Sequence, residues 1–141
     1  MDSIIKQYEG CRLIAYPDPI TGGEPYTVGW GSTKKSDGSP FKLGEQITQA
    51  MADALLTDYL MKNIVPIFKR IPYNLTMGQK AAMASLIYNV GAPSFLKSKC
   101  YQAICKKDFA GIFKEWDFGV KQLKGLAKRR SHELYLFLKD I

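Results

Sequence analysis

The chain has 141 residues, 46% hydrophobic and 23% charged, enough for one globular domain that buries roughly two thirds of its unfolded surface without disulfides or a structural metal. A formal net charge of +7, from 20 Lys and Arg against 13 Asp and Glu, attracts a polyanion, whether nucleic acid, an anionic membrane surface or an acidic wall polymer. No run approaches the roughly 18 apolar residues of a membrane span, "MDSIIKQYEG" lacks the apolar core and cleavage site of a signal peptide, and Cys11, Cys100, Cys105 and the single His132 do not have the spacing of a zinc site.

In chain order, Asp2 or Ser3 caps a short helix with Ile4, Ile5 and Tyr8 on one face, and Gly10 ends it, so that Glu9 lies in its last turn. Leu13 to Tyr16 and Tyr26 to Trp30 suit short strands, with the turn "PDPITGGEP" between them and "STKKSDGSP" after them, which predicts a hairpin or a three-stranded sheet. From Thr48, apolar residues at Met51, Leu55, Tyr59, Leu60, Ile64 and Val65 trace a long connector helix interrupted at Pro66. "TMGQKAAMASLIYNVG" opens on a capping box, Thr76 with Gln79, and closes on Gly91 with Pro93 beyond; apolar nearly all round, it reads as the core helix. Shorter helices follow near Lys99 to Ile104 and Asp108 to Trp116, and a basic one from about Leu126 to Leu138.

The pattern is α+β, mainly α, in a single domain over 1–141. It divides into a small β lobe over about 11–46 and a larger helical lobe over about 66–141 that takes in the N-terminal helix, with the connector helix joining them and a ligand expected in the crevice between. The cysteines are expected to be buried reduced thiols, with a Cys100 to Cys105 bridge as the alternative.

Glu9 and Asp18 flank one predicted strand, one at a helix end and one in a turn, so two carboxylates can face each other across a gap. Such a pair performs glycoside hydrolysis when one member is held protonated to donate to the leaving oxygen while the other, ionised, positions water. The helix C-terminus and the neighbours Ile5, Tyr8 and Cys11 disfavour an anion at Glu9, whereas free backbone N–H groups and water in the turn favour one at Asp18. Thr27 opens a strand, "TVGWG", whose glycines permit close backbone approach, and its hydroxyl can hold a water against Asp18. Taken singly, Glu9 reads first as a solvated helix-end residue and Asp18, before Pro19, as a turn former.

The order "EGCRLIAYPDP…TVGWG" resembles the E-G-x-x-L-x-A-Y-x-D…T-x-G-x-G signature of the phage lysozyme family, the T4-type endolysins of glycoside hydrolase family 24. "ITQAMADALLTDYL" is similar to that family's connector helix, "GQKAAMASLIYNVG" to its central helix, and "GLAKRR" followed by Glu133 to its C-terminal helix, so the likeness covers nearly the whole chain. The resemblance implies a lysozyme-like fold and inverting hydrolysis of the β-1,4 bond between N-acetylmuramic acid and N-acetylglucosamine in peptidoglycan. In it Glu9 is the general acid, Asp18 the carboxylate that positions water and Thr27 the third member of the triad. Two departures stand out: "PITGGEP" makes the interval from Asp18 to Thr27 longer than is common, and Ser32 stands where many members carry histidine.

Among supporting residues, Asn89 matches a polar position that can orient Glu9, with a plain helix-end Asn as the alternative. Tyr26 and Trp30 can stack on sugar faces, and Trp116, at helical spacing with Ile112 and Phe113, reads as core. Arg129 and Arg130 can pair with Glu9, but as a basic run on a helix they read first as a solvated face. The resemblance further implies a monomer acting on bacterial peptidoglycan with no metal or organic cofactor, no nucleic acid and no stable membrane insertion. It would be made in the bacterial host cytoplasm and would reach the periplasm and cell wall through a holin-type pore. The rival readings are a catalytically inactive peptidoglycan-binding module and a basic nucleic-acid binder using the "KGLAKRR" helix.

Overall fold

The structure, a computed structural model, describes residues 1–117 and 126–139. The chain forms two compact units, one of Ile5–Met61 and one of Met1–Ile4 with Lys62–Ile141.

Helix α1, Ser3–Glu9, buries Ile4 and Ile5 and stops at Gly10, whose φ of 67° is a backbone state that glycine adopts without a Cβ penalty. In the Ile5–Met61 unit, β1 (Arg12–Tyr16) pairs antiparallel with β2 (Thr27–Gly29), Arg12 opposite Gly29 and Tyr16 opposite Thr27. Three residues of β1 therefore span one of β2, an irregularity of the bulge type. Along the other edge of β1, Ala15 N–H donates to Glu45 O (2.8 Å) and Ile47 N–H to Leu13 O (2.8 Å), so the segment to Ile47 completes the ladder without becoming a named strand. The prediction of a hairpin or three strands thus resolves into two strands and a bonded edge.

Thr48 caps α2 (Gln49–Tyr59) by accepting from Met51 N–H (3.1 Å). The helix packs on β2, and Ala15, Val28, Phe41, Ile47 and Ala52 form the core of this unit. Gly29, with φ of 65°, lies where an added Cβ would stand 3.1 Å from Ala52 Cβ, so the close approach expected at the "TVGWG" glycines is made here by α2.

Beyond α2 the chain widens into a π-helical stretch over Leu60–Ile64 before α3 (Val65–Phe68). Pro66 has no N–H to give to the carbonyl one turn earlier and its ring crowds that carbonyl, which accounts for the irregularity just before it. The second unit is built around α4 (Met77–Val90), whose capping box is present in full, and Met83, Leu86 and Ile87 on it are inaccessible to solvent. Each such side chain contributes roughly 1.5 to 3 kcal/mol through apolar burial. Helix α5 (Ala92–Leu96) escaped the sequence reading because Pro93, taken as a stop signal after Gly91, stands in the first turn of a new helix.

Helices α6 (Lys99–Cys105) and α7 (Phe109–Glu115) pack together, and α8 (Ala127–Leu138) lies along α4. Within "KGLAKRR", Lys124 and Gly125 lie outside the described residues. All three cysteines are free thiols. Cys100 is buried, and burial pushes its thiol up to about 12, but Cys11 and Cys105 are only half-buried, which corrects the expectation for those two.

Candidate active site

The β1/β2 pairing decides which candidate residues share an end of the hairpin. Thr27 lies opposite Tyr16, and Asp18 follows Tyr16 by two residues, so both belong to the end of the hairpin where β1 ends and β2 begins. Glu9, the last residue of α1, precedes the opposite end of β1 by three positions. Five residues of strand, about 13 Å of backbone at 3.3 Å per step, separate the two carboxylate-bearing segments. Glu9, Asp18 and Thr27 are each partly accessible to solvent.

Asp18 is held by its own turn. Its Oδ1 accepts from Ile20 N–H (2.7 Å) and Thr21 N–H (3.2 Å), while its backbone N–H donates to Gly23 O (2.9 Å) and its carbonyl accepts from Gly22 N–H (2.8 Å). Among the described residues no protein donor reaches Oδ2, which leaves that oxygen for a water or a substrate hydroxyl. The enlarged turn is therefore folded upon the carboxylate instead of being slack.

A second set of contacts orients α1 with respect to β2 and α2. Asp53 Oδ1 on α2 accepts from the Trp30 indole N–H (2.7 Å) and the Gln49 amide (3.1 Å), and Lys6 Nζ stands 3.6 Å away. The Trp30 N–H, with Gln49 and Lys6, holds the Asp53 carboxyl below its usual range. Lys6 Nζ also sits over the Trp30 ring, 5.4 Å from its centroid. Trp30 is thus tied by its nitrogen and faced by a cation, and Tyr26 packs on the hairpin core. Asp53, Gln49 and Lys6 were absent from the sequence candidates; the i, i+4 polar pair beside buried Ala52 and Leu56 on an otherwise apolar helix face was the available signal.

In the unit containing α4 and α8, Arg129 and Arg130 are 3% and 2% exposed, which overturns the reading of a solvated basic face. Arg129 Nε lies 3.4 Å from Glu133 Oε2 and donates to Ser85 Oγ (3.1 Å), and its Nη2 donates to Ser85 O (3.1 Å). Arg130 Nε is 3.1 Å from Glu133 Oε1, and its Nη2 donates to Asn89 Oδ1 (2.9 Å). Glu133, fully buried, also accepts from the Ser85 hydroxyl and from the Trp116 indole N–H (3.3 Å). Burial pushes the Glu133 carboxyl up, opposed by Arg130, Ser85, Arg129 and Trp116 in that order. Trp116 is core as predicted, 1% exposed and stacked obliquely on Phe137 with centroids 5.2 Å apart. Among the described residues no three His, Cys, Asp or Glu side chains converge on a point where a metal ion would sit.

The family model for phage lysozyme matches residues 6–133, which spans both carboxylate settings. The chain belongs to the phage lysozyme family. It is 32% identical to the endolysin of Acyrthosiphon pisum secondary endosymbiont phage 1, a match covering 95% of this chain and 92% of that one. Its fold is similar to the endolysin from Escherichia coli O157:H7 phage FAHEc1, with TM-score 0.82 and 27% identity over 98% of this chain and 90% of the other. The muramidase domain of SpmX from Asticaccaulis excentricus is also similar, with TM-score 0.77 and 25% identity over 96% and 92% of the two chains. The molecule is a lysozyme-type endolysin, a glycoside hydrolase of bacterial cell-wall lysis, with the mainly helical lysozyme fold and a two-stranded sheet. No helix among the described residues is long and apolar enough to cross a membrane.

Proposed function

We propose that this lysozyme is an N-acetylmuramidase that cleaves the β-1,4 bond between N-acetylmuramic acid and N-acetylglucosamine with inversion. Glu9 gives its proton to the glycosidic oxygen as the bond to the anomeric carbon breaks. A water held by Asp18 and Thr27 attacks that carbon from the opposite face and passes its proton to the Asp18 carboxylate. The observation that supports this reading is the pairing of Thr27 with Tyr16, two residues before Asp18, together with an Asp18 carboxylate whose Oδ1 is held by the Ile20 and Thr21 N–H groups. Inversion requires roughly 6.5 to 9.5 Å between the carboxyl groups, which is the separation this reading expects of the Glu9 and Asp18 side chains.

Peptidoglycan carries lactyl and peptide carboxylates, so the net charge of +7 favours encounter with it and predicts a rate that falls as salt rises. The chain works as a monomer without a cofactor, is made in the host cytoplasm and meets the wall after passing a holin-type pore. Burial of Arg129 and Arg130 counts against the nucleic-acid reading, since guanidinium groups so withdrawn from solvent do not meet a phosphate backbone. Tyr26 and Trp30 are supporting residues, offered to a sugar face. The test is release of reducing ends from purified murein by wild type, Glu9→Gln and Asp18→Asn, followed by determination of the product anomer. Loss of turnover in both variants with an inverted product is expected, and a retained configuration would overturn the water-positioning role of Asp18.

A further inference from the structure

The turn between β1 and β2 contains more hydrogen bonding than its connecting role requires. Besides the two N–H groups on Asp18 Oδ1, the Thr21 hydroxyl donates to Glu24 O (2.8 Å) and accepts from Gly23 N–H (3.2 Å). The Asp18 N–H to Gly23 O and Gly22 N–H to Asp18 O bonds close the ring, with Gly22 at φ of 71° making the reversal. Every one of these bonds lies within residues 18–24, in a segment largely exposed to solvent, so the turn gains its order from itself.

A carboxylate free to turn about its last torsion presents either oxygen over a broad range of angles. Anchoring Oδ1 by two N–H groups fixes the carboxylate plane and leaves Oδ2 without a protein donor among the described residues. A displacement of about 1 Å in such a group costs on the order of 10²-fold in rate, so the stiffness of the turn is transmitted to the chemistry. Thr21 is central because its hydroxyl both donates and accepts, linking the two ends of the ring while its own N–H holds Asp18.

We propose that Thr21 is a positioning residue, which acts through Asp18 by locking the enlarged turn so that Asp18 Oδ2 alone is presented to the attacking water. This rests on the assignment of Asp18 made above. Thr21→Val keeps the side-chain shape and removes the hydroxyl; Thr21→Ser restores it.

The experiment compares both variants with wild type and Asp18→Asn on purified murein, together with thermal unfolding and hydrogen exchange at the Ile20 and Thr21 amides. Thr21→Val is expected to lower kcat about tenfold with KM and melting temperature unchanged and both amides exchanging faster, and Thr21→Ser to recover kcat. Wild-type kcat in Thr21→Val, with Asp18→Asn inactive, overturns the role of Thr21 and leaves that of Asp18 standing. A change confined to KM overturns positioning in favour of direct substrate contact. Full turnover in Asp18→Asn removes the assignment of Asp18, and the proposal with it.

Discussion

Asp18 and Glu133 are the same kind of group in opposite settings. At the hairpin, two backbone N–H groups hold one carboxylate oxygen while the other has no protein donor among the described residues. On α8, both oxygens of a fully buried carboxylate are engaged, by two guanidinium groups, a hydroxyl and an indole N–H. The difference separates reactivity from architecture: a carboxylate can accept a proton from water only where an oxygen remains accessible, and it organises a core only where none does. Arginine count and charge therefore say little about the site until the partners of each charge are known.

The contrast is broken first by exchanging the consequences of mutation. Glu9→Gln, at the accessible end, should reduce murein turnover by about 10² to 10⁴-fold while leaving the unfolding curve in place, as expected for loss of a general acid. Glu133→Ala should do the reverse in kind, lowering unfolding free energy by about 3 to 5 kcal/mol because two buried guanidinium groups lose their counter-charge. Denaturant melts and murein assays on both variants check this; a Glu133→Ala protein of wild-type stability would show that the buried cluster organises nothing.

A smaller effect is the pH dependence of two anchoring carboxylates, Asp53 and Glu133. Asp53 is held below its ordinary 3.8, so its contribution to stability is present above that value and disappears as pH falls through the lowered one. Glu133 is raised above 4.5, so its contribution is complete below 4.5 and is lost as pH rises through the raised value. Stability relative to Asp53→Asn should accordingly climb as pH rises through the acid range, and stability relative to Glu133→Gln should decline above 4.5, both read from denaturant melts at stepped pH. The mildest perturbation is Thr76→Ala, which removes half of the α4 capping box and should cost about 1 kcal/mol without altering kcat.

Local chemistry explains which features were legible beforehand. The α4 capping box and the end of α1 at Gly10 depend on residues within four positions of one another, and both appear where the sequence places them. Pro93 misled because the same residue that ends one helix favours the first turn of another, and only spacing to the next cap distinguishes them. Arg129 and Arg130 misled because a basic run on a helix is ordinarily solvated. Glu133, three and four positions on, was a visible local partner, but Ser85, Asn89 and Trp116 come from other helices that no periodicity links to α8. At the hairpin, the candidates Glu9, Asp18 and Thr27 could be picked from residue types and order, whereas the bonding inside the enlarged turn depends on backbone angles that composition does not encode.

The contact between Gly29 and Ala52 bears on how this enzyme tolerates change. Thr27 is two residues from Gly29 on the same three-residue strand, and the Cβ of Ala52 already occupies the space a side chain at position 29 would need. A bulkier residue at either position would pry the strand from its helix and move the Thr27 hydroxyl with it. Random mutagenesis for a hardier enzyme should therefore find positions 29 and 52 closed to enlargement, even though neither carries a reactive group, and selection for activity would report them as if they did.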